Sequence, residues 1–160
     1  MKTKISALGS FILLLVPVTL FAGKSIVLKQ ENAPMKIEKY VTSSLEDVIN
    51  KVTCKNISQQ NIVAFKIGFI SFDVFNEYLD SSKAVSVENI GIAQSKKHRW
   101  THAKYRGFLF EKYGTGIVFV DAVRLEDGTI WKVNYDEIFP QIKEIFADFS
   151  ADILKKKEEK

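Results

Sequence analysis

The stretch from Ile62 to Phe72 repeats with a period of two. Val63, Phe65, Ile67 and Phe69 take one side, and Ala64, Lys66 and Gly68 take the other, until Ile70 and Phe72 turn the second side apolar as well. Successive side chains of a strand point to opposite faces, whereas a helix returns to the same face every three or four residues. This stretch is therefore read as a strand. Shorter alternations flank it. Met35 to Val41 places Met35, Ile37 and Lys39 on one side, against Lys36, Glu38 and Tyr40. Val48 to Lys55 sets Val48, Val52 and Cys54 on one face, and Gly116 to Arg124 opposes Ile117, Phe119 and Asp121 to Val118, Val120 and Ala122. Ser25 to Leu28, Lys83 to Glu88 and Phe108 to Phe110 read as further short strands.

Turn chemistry separates these runs. Asn56 to Asn61 is a polar cluster, Asn76 marks a second turn, and Gly114 with Gly116 a third. Glu126, Asp127 and Gly128 signal a hairpin with Thr129 to Val133 as its returning strand, because Gly accepts the positive φ such turns require. Six to eight short strands punctuated in this way predict a β-sandwich over residues 24–134. Asn89 to Lys104 shows no regular alternation and is expected to be irregular.

The period changes near the end. Ile138, Ile142, Ile145, Phe146, Phe149 and Ile153 recur at steps of three and four, one face of an amphipathic helix over residues 136–158. Pro140 suits its first turn, and Lys155, Lys156 and Lys157 suit its negative end. Gln141, Glu144, Asp148 and Asp152 make the opposite face acidic, so an anionic bilayer would repel it. The apolar face is expected to dock on the sandwich.

The first 22 residues form a separate unit. Lys2 and Lys4 precede an apolar run, Ile5 to Leu20, and Ala22 and Gly23 follow it. This is the layout of a cleaved secretory signal peptide, with export to the periplasm or the medium. A retained anchor is the alternative, but the run is short for a span and Pro17 interrupts it. No transmembrane span is expected in the mature chain. The formal charge is +4, and loss of Lys2 and Lys4 leaves +2. So small a surplus gives no global field favouring nucleic acid, and no specific nucleic-acid partner is expected. One cysteine, Cys54, excludes an internal disulfide and reads as a buried core thiol.

Two stretches carry a family resemblance. Val52 to Ser58 reads as a strand followed by Lys55-Asn56-Ile57-Ser58, and a second strand ends in Phe69-Ile70-Ser71-Phe72-Asp73. This is similar to the FxLYD-type and related immunoglobulin-like domains of bacterial exported proteins. Ser71 stands where the family has Leu, Phe72 stands for its Tyr, and Asn76 lies near the place of its usual Gly. Val123 to Trp131 also resembles a hairpin of exported sandwich proteins. The resemblance implies an immunoglobulin-like antiparallel sandwich acting as a binding, spacer or assembly module, and brings no catalytic residues with it.

Chemistry-bearing constellations are sparse. His98 and His102 have the His-x-x-x-His spacing that places two ligands on one helical face. No carboxylate or Cys lies between them, and Lys96, Lys97, Arg99 and Lys104 would repel a cation. No Gly-x-Ser-x-Gly elbow is present, and Gly114-Thr115-Gly116 is not followed by a helical pattern. No enzyme, metal or cofactor is expected, and a hydrolase or metal-dependent enzyme is the least favoured reading. The most unusual segment is Ser95 to Arg106. Lys96, Lys97, His98, Arg99, Trp100, His102, Lys104 and Arg106 mix cations with rings, as in sites that hold anionic polymers. Two readings stand: an exposed loop whose Trp100 plugs into the sandwich, and an interaction patch for an envelope protein or an anionic surface. A structural or accessory subunit that assembles through its helix or a sheet edge is the alternative function.

Overall fold

In the computed structural model, which describes residues 24–44, 47–102, 113–150 and 152–155, the strands and helices are β1 (Lys24–Val27), β2 (Met35–Ser44), β3 (Val48–Asn56), β4 (Ile62–Asp73), β5 (Tyr78–Ser86), β6 (Ser95–His102), β7 (Tyr113–Leu125), β8 (Ile130–Lys132), α1 (Tyr135–Ile145) and α2 (Asp152–Lys155). The segment read as a signal peptide and the strand expected at Phe108 to Phe110 lie outside the described residues. One sheet runs β1-β7-β4-β5, with β8 also paired to β7, and the other runs β2-β3-β6. The chain is a β-sandwich with an appended C-terminal helix, as the alternation and the late change of period predict. One pairing departs from the antiparallel expectation, because β1 runs parallel to β7.

The period-two pattern of β4 explains the layering. Phe65, Ile67 and Phe69 point between the sheets and meet Met35, Ile37, Val52 and Cys54 of the smaller sheet. Ile70 and Phe72 point the other way and meet Ile138, Ile142, Phe146 and Phe149. The larger sheet is thus the middle of three layers, with the smaller sheet on one side and the helix on the other. A strand covered on both faces reads as nearly continuous hydrophobe, which is why the outer face of β4 becomes apolar where the helix lies over it. Gly68 lies on that outer face opposite Phe119 in register, and a Cβ there would collide with the Phe119 ring. The ring lies across the strand because Gly68 lacks a side chain.

Several expectations are corrected. A bulge between Ile37 and Lys39 leaves Glu38 and Lys39 both exposed and turns Tyr40, not Lys39, into the core. An extra residue in one strand reverses the alternation beyond it. Gly114 and Gly116 lie inside β7 and make no turn. A Cβ on Gly116 would strike the hydroxyls of Tyr113 and Tyr40, which occupy that space in a buried polar network. In it Tyr40 donates to Asn50 at 2.7 Å and Tyr113 to Thr42 at 2.8 Å.

The terminal helix is shorter than the expected 136–158. It begins at Tyr135 behind an Asn134 cap, whose side chain accepts from the Asp136 amide at 3.1 Å, so Pro140 falls within the helix rather than in its first turn. It ends at Phe146, which leaves helical geometry at φ −131° and ψ 87°. α2 starts afresh beyond Ser150. Ser and Asp compete with helical hydrogen bonding, and Asp148 and Ser150 lie in the break. The break lets Phe146 stack on Phe72 while Phe149 meets the same ring edge-on.

The turns follow their sequence signals. Asn76 has φ 67°, and the Asp73 carboxylate accepts from the amides of Phe75 and Glu77, each at 2.8 Å. The aromatic-Asp ending of β4 thus closes the β4–β5 hairpin. Gly128 has φ 88° in the β7–β8 hairpin, and Asp127 accepts from the Thr129 amide at 2.8 Å. Asn56, wholly buried, accepts from the amide and hydroxyl of Ser58 and donates to the carbonyls of Gln60 and Ile90.

Candidate anion-binding face

The segment expected to be an irregular loop is β6, the edge of the smaller sheet, paired antiparallel to β3 along its length. Its lack of hydrophobic alternation concealed a strand whose inward positions are Lys96, His98 and Trp100. These are partly covered, while Ser95, Lys97, Arg99 and Thr101 are exposed on the outer face. The expected patch is therefore divided between two sides of one strand. His102 closes the strand, and Lys104 and Arg106 lie outside the described residues.

The inward side is a packing site. Trp100 meets Phe65 and Phe69 edge-on, with ring centroids at 6.4 and 5.8 Å, so the indole plugs the sandwich from a strand. His98 stacks on Trp100 and sets its edge to Phe65. Its Nδ1 lies 3.1 Å from a Glu88 oxygen, and Lys96 reaches the other Glu88 oxygen at 3.0 Å. The Nε2 is buried without a hydrogen-bond partner. Burial pushes the imidazole pKa below its ordinary 6.5 despite Glu88, with Lys96 acting in the same direction as burial. The Ser86 hydroxyl, assisted by Lys96 and His98, holds the Glu88 carboxyl below its usual range. Cys54 is fully buried nearby, and burial pushes its thiol up to about 12.

The outer face is cationic. Register places Lys36 opposite Lys55, Lys39 opposite Thr53 and Val41 opposite Lys51 across β2 and β3. It then places Ser95 beside Lys55, Lys97 beside Thr53 and Arg99 beside Lys51 across β3 and β6. Lys36, Lys39, Lys51, Lys55, Lys97 and Arg99 therefore share one face. None of them is ion-paired among the described residues. Like charges directly opposite one another destabilise a sheet, and this face holds two such pairs, Lys36 with Lys55 and Lys51 with Arg99. Glu38 is its one acid among the described residues, and accepts from the Ser95 hydroxyl at 2.9 Å. A depression of about 470 Å³ on this face is lined by Lys39, Val41, Lys51, Thr53, Lys97 and Arg99, and also touches Val52 and His98. The sequence pointed to Lys97 and Arg99. It missed Lys36, Lys39, Lys51 and Lys55: Lys51 and Lys55 stand at alternate, outward positions of β3, while Lys39 joins Lys36 on this face only through the bulge at Glu38.

The opposite layer carries the other sign. Asp136, Glu137 and Glu144 are exposed on α1 against one exposed lysine, Lys143. Beneath the start of that helix, Asp121 is buried and bonded to both Lys83 at 2.9 Å and the Tyr135 hydroxyl at 2.8 Å. This cluster ties the helix start to the sheet. Lys83 and Tyr135 also line a small cleft of about 230 Å³ with Ser81, Ser82 and Phe119.

Among the described residues no three His, Cys, Asp or Glu side chains are grouped so as to hold a metal ion. No helix among them is long and apolar enough to cross a membrane. No protein-family model matches the chain, and no curated protein does. Two solved structures are similar to it. An X-ray structure of a hypothetical protein from Peptoclostridium difficile 630 has a TM-score of 0.51 at 12% identity, over 79% of this chain and 99% of that one. A Northeast Structural Genomics Consortium target has a TM-score of 0.41 at 14% identity, over 62% of this chain and 80% of that one. The first likeness shows that the sandwich fold recurs in another protein.

Proposed function

We propose that the protein is an exported, non-catalytic binding module that holds an anionic partner on the outer face of β2-β3-β6. The observation that carries this reading is the set of six cations on one sheet face, with two like-charge pairs opposed in register and no neutralising partner among the described residues. Clustering of this kind works against folding, and an external anion would relieve it. With so small a net charge on the mature chain, the local concentration opposite an acidic helix gives the molecule an electrostatic polarity that steers anions to one side. The export expected from residues 1–22 would place the partner in the cell envelope or beyond, as a protein's acidic face or an anionic surface.

The test is retention on an immobilised polyanion over a salt gradient, because screening weakens exposed charge contacts. A variant carrying Lys51→Gln, Lys97→Gln and Arg99→Gln should elute at markedly lower salt, with a melting midpoint equal to or above that of the parent. Equal retention of both proteins would overturn the reading. The accessory-subunit alternative draws on a different feature. Among the described residues β5 pairs with β4 alone, and Val85 and the following Val87 are exposed beside that edge, which suits strand addition by a partner.

A further inference from the structure

The pattern of charge on the outer face is not uniform, and it selects among anions. In register, one row across the strands is Lys36, Lys55 and Ser95, the next is Lys39, Thr53 and Lys97, and the third is Val41, Lys51 and Arg99. The uncharged positions Ser95, Thr53 and Val41 therefore fall on one diagonal. Lys36, Lys39 and Lys55 flank it on one side, and Lys51, Lys97 and Arg99 on the other. Rows lie about 7 Å apart along the strands and neighbouring strands about 4.8 Å apart, so the long side chains of the flanks stand as two walls over a floor of short ones. The lining of the 470 Å³ depression takes in Thr53 and Val41 of this diagonal, Lys39 from one flank and Lys51, Lys97 and Arg99 from the other, and it also touches Val52 and His98. At the Ser95 end the Glu38–Ser95 hydrogen bond crosses the diagonal and stops it.

We infer that this trough holds a single linear anionic polysaccharide, laid along the diagonal so that cations reach it from both sides. The inference rests on the anion-binding reading above and narrows its ligand. A plane of lipid headgroups would press on the tips of all six cations and leave the trough floor unused. Nucleic acid is bound as a single strand by stacking its bases on rings, and the rings of this strand, His98 and Trp100, are already stacked on each other and set against Phe65 and Phe69. An extended acidic peptide gains affinity by pairing its backbone with a sheet edge, whereas the backbone under this trough is already paired on both sides of β3. A sugar chain carrying sulfate, phosphate or carboxylate groups needs neither rings nor a free backbone, and Thr53 adds a hydroxyl to the floor.

Substitutions of equal charge at different places on the face test the inference. Binding of a heparin oligosaccharide and of vesicles containing phosphatidylglycerol is measured by titration for the full chain, Lys36→Gln, Lys39→Gln, Lys97→Gln and Thr53→Trp, with circular dichroism to verify folding. Lys39→Gln and Lys97→Gln, which remove opposite walls, should each weaken heparin binding at least threefold. Lys36→Gln, beyond the stop formed by Glu38 and Ser95, should weaken it less than twofold. Thr53→Trp fills the floor without altering charge and should weaken it about tenfold. Equal losses for the three lysine variants with unchanged binding by folded Thr53→Trp would overturn the trough and leave the anion-binding reading standing. Tighter binding to the vesicles than to heparin would overturn it in favour of a headgroup plane. Absence of binding to either probe by the parent chain would overturn both the trough and the reading beneath it.

Discussion

Phe72 and Phe146 stack face to face, their ring centroids 3.7 Å apart and their planes 6° from parallel. Phe72 is the next-to-last residue of β4, a strand of the middle layer, and Phe146 is the residue at which α1 leaves helical geometry. This contact fixes the C-terminal layer to the sheet. Phe146→Ala should destabilise the fold by about 3–5 kcal/mol, the usual cost of removing a buried ring, as measured by denaturant unfolding. A loss well under 1 kcal/mol would mean that α1 is held by Ile138, Ile142 and the Tyr135–Asp121 hydrogen bond alone.

The two sides of β6 should separate cleanly under mutation. Trp100→Ala should lower the melting midpoint, because it empties a site against Phe65 and Phe69, and a change there costs stability by loss of packing. Lys97→Gln with Arg99→Gln should leave the midpoint unchanged or raise it, and should lower retention on a polyanion. Finding that the paired lysine and arginine replacements melt the protein, while Trp100→Ala leaves it intact, would contradict the orientation of the strand.

Stability should fall on mild acidification. Burial holds the His98 pKa below 6.5 in the folded state, so the unfolded chain takes up the proton first. Neutral His98 therefore contributes stability that is complete above about pH 6.5 and erodes as pH falls toward its folded pKa. Glu88, held below its ordinary value, adds a second contribution, present above about pH 4.5 and lost as pH drops through its folded pKa. Both slopes have the same sign. Melting midpoints of the parent and of His98→Phe, compared from pH 8 to pH 5, check the first window. The variant should show a flatter profile above pH 5, and identical slopes would remove His98 from the account.

Cys54 should be inert in the folded protein. Its side chain is completely buried and its thiol is pushed up to about 12, so little thiolate forms at neutral pH. A maleimide reagent should label the native chain far more slowly than the chain in denaturant. Comparable rates would show that the β3 core face opens readily.

Where the pattern was strong, the sequence was a sufficient guide. The alternation from Phe65 to Phe72 and the hairpin at Gly128 correspond to the elements they predicted, and the steps from Ile138 to Ile145 correspond to α1, although the single helix expected through Ile153 is broken after Ile145 and a register shift between Ile62 and Ala64 puts Ile62 rather than Val63 in the core with Phe65. Failures arose where one residue altered the period or where the inward positions were not hydrophobic. The extra residue near Glu38 reversed the face of Tyr40, and no local signal in Met35 to Val41 announced it. β6 fills its inward positions with Lys96, His98 and Trp100, which satisfy one another through Glu88 and ring stacking instead of by aliphatic burial. A pattern search tuned to Val and Ile passes over such a strand. The candidate site was legible only in part for a related reason. Lys97 and Arg99 are adjacent in sequence to other cations, but Lys36, Lys39, Lys51 and Lys55 join them only through cross-strand register, which no single stretch of chain encodes.

The alternation in β6 makes one short strand answer to two demands at once. Odd-numbered positions from Lys97 to Thr101 present themselves to the outside, and even-numbered ones from Lys96 to Trp100 seal the interior. A single-residue insertion just before Lys96 would exchange the two sets, sending the indole into water and the guanidinium toward Phe65. Descendants of this chain can therefore exchange one outward cation for another at little cost. They cannot lengthen or shorten this segment by one residue without losing the seal and the charged surface together.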